Sequence, residues 1–272
     1  MRIVAHISDL HFGRIDPKVV EGLEADLAWR SSSLSMIVIS GDLVQRPGHK
    51  QFQAARAFLE RLPVPFLVVP GNHDIPVYNL FLRFYDPYRR YRRYVSHDLS
   101  PIHIDSEIAI LGLSTARALN LNFAHGRINK RQVARIHDVF DAAPSPLFKI
   151  LVTHHPFLPP PDAPNTRLVG RSQMALTALE RCGVDLVLSG HLHRSFSGDV
   201  AGHHAFVQRS ILVAQAATAT STRLRRDPNG YNVISIAFDE VTIEERAWNG
   251  CAFECDRITR YRREGDHWRV CA

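Results

Sequence analysis

Short apolar runs recur through the first two-thirds of the chain and alternate with longer stretches whose apolar residues fall every three or four positions. The runs at 3–8, 36–40, 66–69, 108–113, 148–152 and 184–188 predict buried strands. The intervening stretches at 19–29, 49–62, 129–142 and 172–182 predict helices. In the first of these Val20, Leu23, Leu27 and Ala28 share a side, and in the second Phe52, Ala55, Phe58 and Leu59 do. Beyond residue 210 the pattern changes. Alternating positions at 210–215, 231–238 and 241–248 predict strands without helices between them. Two sheets packed face to face, with helices outside, accommodate both halves. No internal repeat or low-complexity linker interrupts the chain, and the proline-rich stretch at 156–164 reads as a stiff loop. Residues 1–272 are therefore expected to form a single domain, with 241–272 as a C-terminal β extension.

A chain of 272 residues, 45% of them hydrophobic, is long enough to bury one large core. Its formal net charge of +6 favours anionic partners: phosphorylated metabolites, nucleic acid or an acidic membrane face. No apolar run approaches the roughly 20 residues that cross a bilayer. The first strand begins at once with Arg2-Ile3-Val4-Ala5-His6-Ile7, which leaves no room for a signal peptide before Asp9, so cytoplasmic residence is expected. Cys182, Cys251, Cys255 and Cys271 form no Cys-x-x-Cys pair and read as reduced thiols without an assigned function.

Polar groups of a distinctive kind follow the apolar runs: Asp9-Leu10-His11, Gly41-Asp42, Gly71-Asn72-His73-Asp74, His154-His155 and Gly190-His191-Leu192-His193. Strand ends converge on one crevice, so these groups are expected to meet. They offer carboxylate and amide oxygen and imidazole nitrogen but no thiolate, the set preferred by hard or borderline divalent cations. There are enough of them for two ions. Asp42, a lone carboxylate at a central strand end, is the candidate bridge. Asp9, His11 and His193 complete one site; Asn72, His154 and His191 complete the other. A hydroxide held between two such ions attacks phosphorus near neutral pH while the ions draw charge from the phosphoryl oxygens. His73, in the same turn as Asn72, is placed to bind a phosphoryl oxygen or protonate the leaving alkoxide. Asp74 is expected to accept a hydrogen bond from an imidazole and fix its tautomer. His155 is a candidate substrate contact. With fifteen histidines in the chain, a chance His-x-His is ordinary. Five groups in strand-end order, three of them with a glycine, are not.

These motifs, with Gly41-Asp42-Leu43 and Thr153-His154-His155-Pro156, resemble those of the calcineurin-like metallophosphoesterases, from residue 1 to about residue 240. The resemblance implies a four-layer α/β/β/α sandwich with two mixed sheets, and a centre of two divalent metal ions (Mn, Fe or Zn) at the strand C-terminal ends. The compact His154-His155-Pro156 element is most similar to that of the bacterial class III cyclic nucleotide phosphodiesterases and their glycerophosphodiesterase relatives. An anionic phosphodiester substrate is thus expected. The alternative is a lipid-linked nucleotide pyrophosphate, of the UDP-2,3-diacylglucosamine type. One major group of such hydrolases carries arginine where this chain has His73. Non-catalytic scaffolds of the same fold have typically lost ligands, whereas here every ligand position is filled.

Residues 76–98 carry the second informative pattern. Arg83, Arg89, Arg90, Arg92 and Arg93 are interleaved with Tyr78, Phe81, Phe84, Tyr85, Tyr88, Tyr91 and Tyr94. Leaving the crevice directly after Asp74, the segment is positioned to cap the substrate, with Arg89 and Arg90 as phosphate contacts. The same mixture suits peripheral contact with anionic lipid at the inner membrane. It equally suits an amphipathic helix with packed aromatics and solvated arginines. No separate region for clamping nucleic acid is visible, so nucleic acid is not an expected partner. Oligomeric state is left open.

Overall fold

A computed structural model describes residues 1–118, 122, 124–144, 146–224 and 227–271. The chain opens with β1 (Arg2–Ile7), β2 (Met36–Ile39) and β3 (Phe66–Val68), connected by α1 (Pro17–Trp29) and α2 (His49–Leu59). Asp16 caps α1 by accepting the Lys18 N–H at 3.0 Å, and Pro17 occupies the first turn, where its missing donor costs nothing. Two short helices follow, α3 (Leu80–Tyr85) and α4 (Arg89–Tyr94), then β4 (Ile102–Ile104) and β5 (Ile108–Gly112). The chain continues through α5 (Lys130–Phe140), β6 (Phe148–Val152), α6 (Ser172–Arg181), β7 (Leu186–Ser189), β8 (Phe196–Asp199) and β9 (Leu212–Gln215). It ends in the meander β10 (Gly230–Ile236), β11 (Glu240–Trp248), β12 (Phe253–Glu264) and β13 (His267–Cys271).

The strands form two mixed sheets, ordered β13-β12-β11-β10-β1-β2-β3 and β4-β5-β6-β7-β9-β8. β1, β2 and β3 run parallel in the first; β5, β6, β7 and β9 run parallel in the second. Strand alternation sorts the apolar side chains into separate cores. Val4 of β1 and Phe148, Ile150 and Val152 of β6 point between the sheets, with Val38, Ile110, Leu188 and Ile234. Ala5 and Ile7 point outward and pack with Leu23, Leu27, Phe52, Phe58 and Tyr91. Leu151 and Val187 meet Ile136, Phe140, Leu176 and Leu179 beneath α5 and α6. Covered on both faces, the central strands need apolar residues at consecutive positions, which is why they read as unbroken runs. Each such side chain contributes about 1.5–3 kcal/mol on burial.

The expected four layers are therefore present. The short edge strands β4 and β8 were not predicted. Residues 76–98 are divided rather than continuous: Asp86 leaves helical geometry at φ −150° ahead of Pro87, as a residue before proline tends to do. On the far side of that break Tyr91 is fully buried and donates to the Val68 carbonyl at 3.2 Å, with Tyr88 and Tyr94 packed beside it. On the near side Tyr78, Leu80, Phe81, Phe84 and Tyr85 are exposed. Packing and surface display thus each claim half of the segment. Among the described residues, no helix is long and apolar enough to cross a membrane.

Candidate metal centre

β1, β2 and β3 of one sheet and β6 and β7 of the other end along a common rim, and the loops after them bring the predicted ligands together. The ligand atoms of Asp9, His11 and His193 lie within 4.8 Å of one another, and so do those of Asp42, His154 and His191. Asp42 Oδ2 stands between the groups, 3.3 Å from His154 Nε2 and 3.9 Å from His11 Nε2. Asn72 Oδ1 is 3.2 Å from His154 Nε2, on the side of the second group.

Holding side chains this close requires unusual backbone. Among the described residues, the non-glycine positions with left-handed φ are Asp9, His11, Asp42, His191, His193 and Arg171. All but Arg171 belong to the pattern. Such conformations cost about 1–3 kcal/mol each and persist where the surroundings over-determine them. Close approach also explains two glycines. A Cβ on Gly190 would lie 1.8 Å from Ser8 Oγ, and one on Gly71 would lie 2.1 Å from Asp42 Oδ1.

The protonation pattern tests whether a cation fits. His154 Nδ1 donates to the Ser40 carbonyl at 2.8 Å and His193 Nδ1 to the Arg223 carbonyl at 3.1 Å, so each ring turns Nε2 to the crevice. His11 Nε2 and His193 Nε2 stand only 3.2 Å apart, facing Asp9 Oδ1 at 3.5 and 3.2 Å. That oxygen is buried and makes no well-aligned hydrogen bond among the described residues. Buried oxygens and imidazole nitrogens facing one another call for positive charge between them. Without a metal, protons must supply it. Burial alone would depress the His154 imidazolium, but the Asp42 carboxylate overrides it and carries the group up to about 9. His193 is likewise raised by Asp9 against the effect of burial. Asp9 and Asp42, although buried, are held below the usual carboxylate range by the histidines around them.

A consequence is testable. A divalent ion must displace the His154 proton, so affinity for Mn²⁺ is expected to rise with pH and to level off above about 9. Below that point each displaced proton costs about tenfold per pH unit. Calorimetric titration over a pH series checks this, and a flat profile on the acid side would contradict it.

His73 sits on the wall of a cavity of about 600 Å³, with Asp42, Asn72, His191 and His193 at its base and Arg46, Arg90 and Arg223 around it. Its N–H donates to Asp42 Oδ1 at 2.8 Å, and its Nδ1 to the Gln45 carbonyl at 2.9 Å. Among the described residues Nε2 makes no hydrogen bond.

Three expectations are corrected. Asp74 fixes no imidazole among the described residues; its oxygens accept the N–H groups of Gly71 at 2.8 Å and Val44 at 3.1 Å, tying two ligand loops together. Burial and the nearby Asp42 charge raise it to about 7. His155 does not line the cavity. It is buried behind His191, its ring centroid 4.6 Å from that ring, with Nδ1 2.7 Å from Thr115 Oγ1. Arg90 does reach the cavity, but Arg89 does not; it lines only a small recess with His49 and Leu82, which Arg90 also borders. Gln45, Arg46 and Arg223 escaped the sequence because none belongs to a ligand motif. Gln45 and Arg46 carry one available signal, their place just after Asp42 in a loop that must border the crevice.

The family model of the calcineurin-like phosphoesterases matches residues 3–195. A glycerophosphodiester phosphodiesterase, GpdQ of Enterobacter lignolyticus (strain SCF1), is 36% identical over 81 residues, covering 26% of this chain and 29% of that protein. Purple acid phosphatase PPD1 from yellow lupin superposes with a TM-score of 0.71 at 11% identity, over 93% of this chain and 52% of that one. A dimetal phosphatase from Danio rerio gives 0.64 at 11% identity, over 90% and 96%. The chain thus spans about half of the lupin phosphatase and matches under a third of GpdQ. The solved structures share the α/β fold with two mixed sheets, and the family is dinuclear-metal dependent. Matched over most of its length, from the first strand to the loop bearing His191 and His193, the chain belongs to the calcineurin-like phosphoesterase family.

Proposed function

We propose that this chain is a phosphodiesterase acting on small phosphodiesters, with cyclic nucleotides as the leading substrate class. The observation that carries the reading is Asp42 between two ligand groups, with His73 beside it on the wall of a basic cavity. Asp9, His11 and His193 would hold one divalent ion and Asn72, His154 and His191 the other, with the Asp42 carboxylate available to both. Two divalent ions bound there would supply a nucleophilic water at neutral pH and withdraw charge from the phosphoryl oxygens. His73, braced through Nδ1 by the Gln45 carbonyl, presents Nε2 to the substrate; as imidazolium it donates that proton to a phosphoryl or leaving oxygen. Arg46, Arg90 and Arg223 attract the anionic ester. The likeness to a glycerophosphodiester phosphodiesterase supports a diester, and that protein's named substrate belongs in the same test.

A second reading rests on α3. Exposed Leu80, Phe81, Phe84 and Tyr85 adjoin Pro76, Val77, Tyr78 and Asn79 at the cavity mouth, a surface suited to acyl chains or to the inner face of a membrane. It favours a lipid-linked pyrophosphate of the UDP-2,3-diacylglucosamine type. Turnover by the metal-reconstituted protein of cyclic AMP, a glycerophosphodiester, UDP-2,3-diacylglucosamine and single-stranded DNA separates these. Highest kcat/KM is expected for a small diester. Preference for the lipid-linked nucleotide would replace the first reading with the second.

A further inference from the structure

A second cluster of metal-binding side chains lies away from the crevice, where α5 and α6 end on the outer layer. His137 lies in the last turn of α5, Asp141 caps that helix one turn on, and Cys182 caps α6. Their ligand atoms fall within 4.8 Å of one another. His137 Nδ1 is 3.3 Å from Cys182 Sγ and 3.1 Å from Asp141 Oδ2. A tetrahedral zinc with bonds of about 2.3 Å to sulfur and 2.0 Å to nitrogen and oxygen sets its ligands about 3.3–3.6 Å apart, close to what is observed. We propose that His137, Asp141 and Cys182 form a separate zinc site that clips α5 to α6, with water as the fourth ligand.

Further features support it. Cys182 is a buried thiol, while His137 and Asp141 are open to solvent on one side, so an ion has both access and an aqueous ligand. The C-terminal ends of two helices meet here, and their partial negative charge favours a cation. Lys149 Nζ donates to the Cys182 carbonyl at 2.8 Å and holds that residue in place. The Lys149 charge opposes an incoming cation, but zinc with one thiolate, one carboxylate and a neutral imidazole leaves the site itself uncharged. Binding releases the thiol proton to water. A nucleophilic cysteine is a poorer account. The same His137 nitrogen faces both the thiol and the carboxylate, so Asp141 does not brace the ring from its far side as a third catalytic member would. The cluster lies by the start of β6 and β7, at the opposite end of those strands from His154 and His191. It is therefore independent of the phosphoester chemistry.

Cobalt(II) is the probe, because sulfur-to-cobalt charge transfer in the near ultraviolet reports thiolate ligation and the crevice contains no thiolate. With Cys251, Cys255 and Cys271 changed to serine, the full chain is expected to develop this band and to saturate at one thiolate-bound ion. Adding Cys182→Ser should abolish it. His137→Ala, at a half-exposed position, should abolish or greatly weaken it with the circular dichroism spectrum unchanged. A missing band in the triple-serine protein would overturn the proposal. So would a band that survives Cys182→Ser, or one unaltered in folded His137→Ala.

Discussion

Asp42→Ala is expected to lose bound metal from both ligand groups and hydrolytic activity with it. Its carboxylate faces ligand nitrogens of both groups, with Oδ2 within 4 Å of both His154 and His11. Removing a mere outer partner of a metal ligand typically costs 10–100-fold in affinity, and losing a shared charged ligand should exceed that. Two local effects accompany the change. The His73 N–H loses its acceptor, a cost of about 1–3 kcal/mol if it stays buried, and His154 loses the charge that sustains its imidazolium. Asp74, whose ionisation Asp42 opposes, is relieved in turn. The protein should therefore remain folded while elemental analysis shows metal loss. Asp42→Asn, which keeps an oxygen for the His73 N–H, separates structural from electrostatic effects. Retention of two ions by folded Asp42→Ala would refute the bridging role.

His73→Ala should behave oppositely, keeping its metal while losing turnover. His73 supplies no atom to either ligand group, and its bonds run to Asp42 through the backbone and to Gln45 through the ring. Loss of a positioned proton donor lowers kcat by roughly 10²–10⁴-fold. The measurement is kcat at matched metal content on a glycerophosphodiester, whose alkoxide leaving group needs a proton, beside a chromogenic aryl phosphodiester. The loss should shrink for a substrate whose leaving group is already acidic, since such an oxygen needs little protonation. Unchanged kcat on both substrates would remove His73 from the mechanism.

How much of this was legible follows from which residues report locally. The central strands announced themselves because two-sided burial demands consecutive apolar residues, as in Ile37, Val38 and Ile39. The ligands were legible because each stands directly after such a run and is of a type that metals require. Edge strands such as Ile102–Ile104 and Phe196–Asp199 are short and mix polar with apolar residues, so their pairing depends on a distant neighbour. Within 76–98, Tyr85 and Tyr91 are the same residue type in similar company, yet one is exposed and the other fully buried. Only the break at Pro87 and the packing of α4 distinguish them. His155 looked like a substrate contact beside His154, but Thr115, forty positions upstream, turns its ring away from the cavity.

The central claim is that two ions share one carboxylate, and manganese reports on that directly. Mn²⁺ titration of the Cys182→Ser protein, followed by electron paramagnetic resonance, should show two ions bound per chain. The signal of the isolated ion should fade as the second binds and couples to the first. Binding of a single ion, or of two ions that remain magnetically independent, would contradict the shared centre.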